Sequence, residues 1–358
     1  MEIQAAKKRK FNPSSYMPQH MVEAILSKLP VKSLVRFMSV SQSWNSLITN
    51  PSFSLLRSNF AHNVLVLNPD FELLTIDHAS NSLITLNFPF NRPHMQIIGS
   101  CNGLVCISLT GDYENMIVWN PCTGIFRELP NPSCPKDSIY YSYGFGYDSL
   151  SKDFKILLAV EEYADDSQSV FYYVEVFSLK QNSWKRIRYS INPQESIVGE
   201  PSYRMRGTHL NGVLYWNLHE LVHVFDLGSE NFSTLPSPGS DGYLGVLDNC
   251  LSLSAFTGIW ILKCCGVANS WDKFVSLSTE DDIRPLYMMN NDIIAKKFVE
   301  ERGEEIAGIT VPSGKISTLF KIGDGQNMCD AIAYVEDLVS PSNFISEIED
   351  VNTEKRVI

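Results

Sequence analysis

The sequence predicts an α+β chain of two modules: a small all-α head followed by a large all-β body. Three observations carry this. Apolar residues recur at helical spacing only before about residue 58; beyond it they fall in short runs separated by Gly, Pro, Asn, Asp and Ser. A length of 358 residues suits two domains. The charge also divides: the net charge is −11, yet the first 60 residues carry +6, which leaves −17 for the rest. A basic head on an acidic body points to modules with different partners. It argues against nucleic-acid binding by the body, since phosphate contacts need a basic face. Hydrophobic content of 44% and charged content of 19% exclude wholesale disorder. Apolar runs never reach 18 residues, so no membrane partner is expected. Met1–Ser15 lacks the apolar centre of a secretory signal, and the eight cysteines form no Cys-x-x-Cys pair. Reduced thiols in the cytoplasm and/or nucleus are the expectation.

Residues 1–15 are polar and basic and read as a disordered tail. Within them Lys7-Lys8-Arg9-Lys10 is a solvated charge run with the composition of a nuclear localisation patch. Pro18 suits the start of a first helix, in which Met21, Val22, Ile25, Leu26 and Leu29 share one face. Pro30 stops it. Val31, Leu34, Val35 and Met38 give a second helix, and Trp44, Leu47 and Ile48 a third, before Asn50-Pro51 breaks the pattern. Phe53, Leu55 and Leu56 begin one more turn. So few short helices cannot bury all this apolar surface among themselves, so either they pack on the body or the surplus is a docking surface.

The run Tyr16-Met17-Pro18, then Ile25 through Phe37, then Val40-Ser41-Gln42-Ser43-Trp44-Asn45-Ser46-Leu47-Ile48 and Pro51-Ser52-Phe53 resembles the F-box over residues 16–58. Met17 stands where the family usually has Leu, a volume-conserving swap. The resemblance implies docking onto the Skp-family adaptor, and through it a cullin, of a ubiquitin ligase. The matching positions, and so the expected adaptor-binding residues, are Pro18, Ile25, Leu26, Leu29, Pro30, Val31, Leu34 and Trp44. Some of these must instead hold the module together.

Over 60–340 the pattern is of strands: Val64–Leu67, Leu73–Ile76, Leu83–Leu86, Leu104–Leu109, Met116–Trp119, Lys155–Val160 and Val170–Ser178. A strand–turn–strand unit recurs at 117–130, 174–187, 222–236 and 259–274, with a degraded fifth copy at 305–319. Further Gly- or Asn-marked strands, at 100–106, 209–216 and 247–253, lie between copies. Measured from Trp119 to Phe177, Phe225, Leu262 and Ile309, the spacings are 58, 48, 37 and 47. Uneven periods near 40–50 with about four strands each predict β-propeller-like blades. Residues 341–358 form an acidic tail.

Gly99 through Leu104, Trp119-Asn120-Pro121, Tyr143-Gly144-Phe145-Gly146-Tyr147-Asp148, Leu210 through Trp216, Phe225-Asp226-Leu227 and Ser270-Trp271 resemble, in order, landmarks of the F-box-associated domain of plant F-box proteins, kelch-like and S-locus F-box-like. Val335–Pro341 looks like its closing strand. The fifth copy lacks the family's usual Tyr-Asp near Ile309, which puts the last blade in doubt. The resemblance implies a domain that presents a target protein for ubiquitination and has no chemistry or cofactor of its own.

His219-Glu220-Leu221-Val222-His223 spells the zinc-protease motif His-Glu-x-x-His, the basis of an alternative reading as a propeller-based zinc hydrolase. That chemistry needs a helix, so that both histidines converge on one metal. The context reads as strand–turn–strand, and residues four apart in a strand stand roughly 13 Å apart. No metal site is expected. Gly308…Gly314-Lys315-Ile316 fails as a phosphate loop, because its gap is too long and Ile replaces the Ser or Thr that would hold magnesium. Adjacent Cys264-Cys265 have no partner pair for zinc. Asn231-Phe232-Ser233 reads as a turn rather than a glycosylation site. Tyr140, Tyr141, Tyr143, Asp165 and Asp166 read as ordinary loop residues, with ligand contact as the lesser alternative. A scaffolding role without degradation is a further alternative to the ligase reading.

Overall fold

The structure is a computed structural model. It describes residues 17–50, 53, 56 and 62–344, except 78–79, 91–92, 112, 134–138, 164–169, 189–204, 219, 240–241, 256–257, 264–269, 280, 300–302 and 324–328. At 32, 139–141, 161–163, 170–172 and 188 only the backbone is described. The chain divides into two units, residues 1–59 and 60–358.

In the first unit, α1 spans Gln19–Leu26, α2 Val31–Met38 and α3 Gln42–Ile48. Prolines set two of the starts. Pro18 and Pro30 are the N-cap residues of α1 and α2, with extended ψ and carbonyls that accept the first helical bonds. Ser41 caps α3 with its hydroxyl, which accepts from the Trp44 amide at 3.2 Å. α2 packs on α3, with Phe37 edge-on to Trp44 at 5.6 Å between ring centres.

The strands described in the second unit form six sheets. The first contains β1 (His62–Leu67), β2 (Leu73–Asp77) and β3 (Ser82–Thr85). The second is β4 (Gln96–Cys101), β5 (Leu104–Ser108), β6 (Met116–Trp119) and β7 (Phe126–Glu128). In the third, β8 (Ile139–Asp148), β9 (Asp153–Tyr163), β10 (Val170–Ser178) and β11 (Ser183–Arg188) are joined by β12 (Met205–Arg206), which runs parallel to β8. The fourth is β13 (Thr208–Leu210), β14 (Val213–Leu218), β15 (Leu221–Asp226) and β16 (Asn231–Pro236). The fifth is β17 (Tyr243–Leu247), β18 (Cys250–Ala255), β19 (Gly258–Leu262) and β20 (Trp271–Ser276). The sixth is β21 (Asp282–Met289), β22 (Asp292–Val299), β23 (Gly303–Thr310) and β24 (Lys315–Lys321).

β25 (Asp330–Val335) pairs antiparallel with β1 over its whole length, from His62 opposite Val335 to Leu67 opposite Asp330. It is thus the inner strand of the first sheet, and it closes a six-bladed β-propeller. The inner strands contact in the order β25, β4, β8, β13, β17, β21 and back to β25. Buried side chains gather between successive blades rather than in one centre. Leu65, Leu73, Ile97, Val105 and Trp119 join the first two blades; Phe145, Phe154 and Phe177 pack against Leu104, Cys106 and Val118 in the next wedge. The inner and middle strands are covered on both faces and read as continuous apolar runs, whereas outer strands such as β16 and β24 are largely exposed.

The recurring unit of the sequence is the outer hairpin of a blade: β6–β7, β10–β11, β15–β16, β19–β20 and β23–β24. The doubtful last blade is complete. The closing strand requires correction. It is 330–335, whereas the following segment, 336–340, leaves the sheet and is held by Asn120, whose Nδ2 donates to the carbonyls of Asp337 (3.0 Å) and Val339 (2.7 Å). The Gly-marked segments between copies are inner hairpins. Asn102-Gly103, Asn211-Gly212, Asp248-Asn249 and Asn290-Asn291 are two-residue turns with both residues at positive φ, as type I′ requires. Gly144 and Gly146 of β8 leave room for the next blade: a Cβ there would stand 2.9 Å from a Leu214 methyl and within about 2.4 Å of the His209 ring.

Candidate functional site

The expected adaptor-binding residues divide by exposure. Leu26, Val31 and Leu34 are buried, at 1%, 6% and 1%. Ile25, Pro18 and Pro30 are exposed, and Leu29 and Trp44 are half-buried. Met21 and Ile25 stand four apart on α1 and so share a face, which turns outward while Leu26 turns in. Exposed with Ile25 are Met17, Met21, Val35 and Val40, all between 47% and 59%. Nothing in the sequence marks these as the outward set. In an amphipathic pattern the apolar face is the expected core face; only the packing of three short helices shows that they have more apolar faces than partners.

In the second unit the landmark polar residues are occupied in holding turns. Asn120 is fully buried, and its Oδ1 accepts from the amides of Cys122 and Thr123. Asp148 accepts from Leu150 and Ser151, and Asp226 from Ser229. Tyr143 lies in the inner strand β8 rather than in a loop; it is 4% exposed, and its hydroxyl accepts from Gln96 at 2.6 Å. The side chains of Tyr140 and Tyr141, and residues 165 and 166, fall outside the described residues.

Over residues 14–56 the chain matches the F-box domain family, and over 48–341 the F-box associated beta propeller domain family. This chain belongs to the F-box proteins with an associated β-propeller domain. It is 25% identical to the F-box/kelch-repeat protein At3g23880 of Arabidopsis thaliana over 371 aligned positions, which cover 93% of this chain and 98% of that protein. It is 29% identical to the Arabidopsis thaliana F-box protein CPR1, covering 90% and 88%.

Two groupings in this F-box protein bear on chemistry. In the His-Glu-x-x-His segment, Glu220 sits in the turn after β14 and His223 is buried within β15; His219 lies outside the described residues. The segment is therefore a hairpin, not the helix that would aim both imidazoles at one metal. Among the described residues, no group of three His, Cys, Asp or Glu side chains could hold a metal ion.

Cys101 and His209 form a pair unforeseen in the sequence, with Sγ 3.3 Å from Nδ1. Their surroundings oppose a nucleophile–base role. Burial pushes the Cys101 thiol up and the His209 imidazole down to about 4, which keeps both neutral. The His209 Nε2 also accepts from the amides of Tyr147 (3.3 Å) and Gly212 (3.2 Å), tying blade three to the β13–β14 turn. The pair is a structural clasp.

Proposed function

We propose that the chain is the substrate-recruiting subunit of a Skp–cullin–F-box ubiquitin ligase, acting in the cytoplasm or nucleus. The F-box would bind the Skp-family adaptor and the propeller a target protein. The observation that carries this reading is the set of exposed apolar side chains on the F-box helices. Helices this short have no reason to expose Met21, Ile25 and Val35 unless another surface covers them. The chain would contribute proximity and orientation to ubiquitin transfer rather than reacting groups. Within the F-box, Pro18, Ile25, Leu29 and Pro30 would meet the adaptor. Leu26, Val31 and Leu34 would hold the helices together, and Trp44 would brace α3 against Phe37.

The test separates contact from folding. Ile25→Asp with Val35→Asp changes only exposed positions, so the full chain should keep its unfolding midpoint. Burial of each apolar side chain contributes about 1.5–3 kcal/mol, so the double variant should bind adaptor at least about a hundredfold more weakly. It should no longer pull down cullin, and the target should accumulate. Adaptor capture equal to that of the unmodified chain would sink the ligase reading.

A further inference from the structure

Strands of several blades place polar side chains in one cluster at the propeller centre. From β12, Arg206 reaches across. Its Nη1 donates to Asp330 Oδ2 of β25 at 2.6 Å and to the Ile97 carbonyl of β4 at 3.3 Å; its Nη2 donates to the Ala331 carbonyl at 3.0 Å. Its Nε is buried and has no hydrogen-bond partner. Gln96 of β4 and Tyr143 of β8 complete that side, joined to each other. Arg284 of β21 shares the electrostatic surroundings of Arg206, Asp330 and Tyr143, yet its side chain makes no hydrogen bond or ion pair among the described residues. Burial and the neighbouring Arg206 push it down to about 10.

The charges do not balance. Two guanidinium groups face one carboxylate, and Asp330 is already engaged by Arg206. Tyr143 adds no negative charge, because burial pushes its phenol up. A partly desolvated cation with no partner among the described residues is costly, and this one sits in a unit that is otherwise strongly acidic. A planar guanidinium matches the paired oxygens of a carboxylate or phosphate. Arg284 is half-buried rather than fully enclosed, and the exposed Tyr243 contributes to its surroundings.

We propose that the propeller centre is an oxyanion site, in which Arg284, seconded by the free Nε of Arg206, takes one carboxylate or phosphate group. The group could belong to a free anion or to a side chain of a docked protein, and the site stands whether or not the ligase reading holds.

The experiment titrates the full chain with inorganic phosphate, with acetate, and with an end-blocked Gly-Ser-Glu-Ser-Gly peptide, at constant ionic strength against chloride. Heat of binding and the thermal midpoint are followed. Saturable binding of at least one probe is expected, with a midpoint that rises with it. A response to the free anions alone assigns the site to a free anion; a response to the peptide assigns it to a docked side chain. Arg284→Met should weaken binding at least about tenfold while melting no lower than the unmodified chain, since a cation with no partner among the described residues has been removed. Arg284→Lys, which keeps the charge, should retain part of the binding. An unmodified chain that shows no saturable response overturns the proposal, as does an Arg284→Met variant that binds like it. If Arg284→Met does not fold, the same reading is taken from Arg284→Lys: undiminished affinity there overturns the role of the planar guanidinium.

Discussion

His209 shows how one half-buried side chain couples this fold to pH. Its ordinary value is 6.5, and burial lowers it to about 4 in the folded chain. Between those values the unfolded chain binds a proton that the folded chain refuses, so stability falls as pH drops from about 6.5 towards 4. Above that window both states are neutral and the contribution is constant. Urea unfolding at about pH 7.5 and about pH 5 should show about 2 kcal/mol lost to this group. His209→Gln should lower stability at the higher pH but flatten that portion of the pH dependence. If the variant and the unmodified chain lose stability equally, His209 is not held neutral. The neighbouring thiol follows the same logic. Cys101 looks like a nucleophile only until its burial is considered.

At the level of elements, the inner hairpins explain why Asn and Gly recur between the outer ones. Gly103 and Gly124 sit at φ +80° and +72°, where a side chain is strained, but they differ in room. A Cβ on Gly103 would fall against the Asp337 Cβ, while nothing lies within 4 Å of one on Gly124. Gly124→Ala should therefore cost only the backbone strain, about 1–2 kcal/mol. Gly103→Ala should cost clearly more, because the segment after β25 must move; the two urea midpoints measure the difference.

Local signals make most of this legible. Aromatic-marked outer hairpins and Asn-Gly turns are set within a dozen or so residues, so five blades are readable in the sequence. The first blade offers no such copy, because its outer hairpin, β2–β3, lacks an aromatic mark, and its inner strand comes from the far end of the chain. The closing strand reads from sequence as Val335–Pro341 instead of 330–335, since both stretches carry apolar residues and only pairing with β1 chooses between them. On the head, apolar spacing finds the helices, but it cannot say that Leu26 is buried and Ile25 exposed. Adjacent residues on one helix differ in that respect only through their neighbours. The Arg206–Asp330 cluster is invisible, because its members lie 124 positions apart.

At the scale of the whole propeller, stability rests on closure. β25 fills the inner position of the first sheet and contributes to the wedges on both of its sides, through Tyr334 against Leu65 and Trp119 and through Ala331 against Ile294 and Ile306. Deleting residues 330–358 should leave β1 with an open edge and both wedges without a wall. The expected result is loss of cooperative unfolding and rapid cleavage by a nonspecific protease. A truncated chain as resistant as the full one would show that the other blades suffice.

The pairing of β1 with β25 also has a consequence in time. A ribosome adds about 5–20 residues per second. The partner on the other edge of His62–Leu67 is made roughly 260 residues later, so for ~13–50 seconds at that rate the nascent chain carries β1 paired on one side only, by β2, with its second edge open. Its synthesis thus has a long vulnerable interval, in which a chaperone or a second nascent chain competes for an edge that only the last blade's neighbour can satisfy.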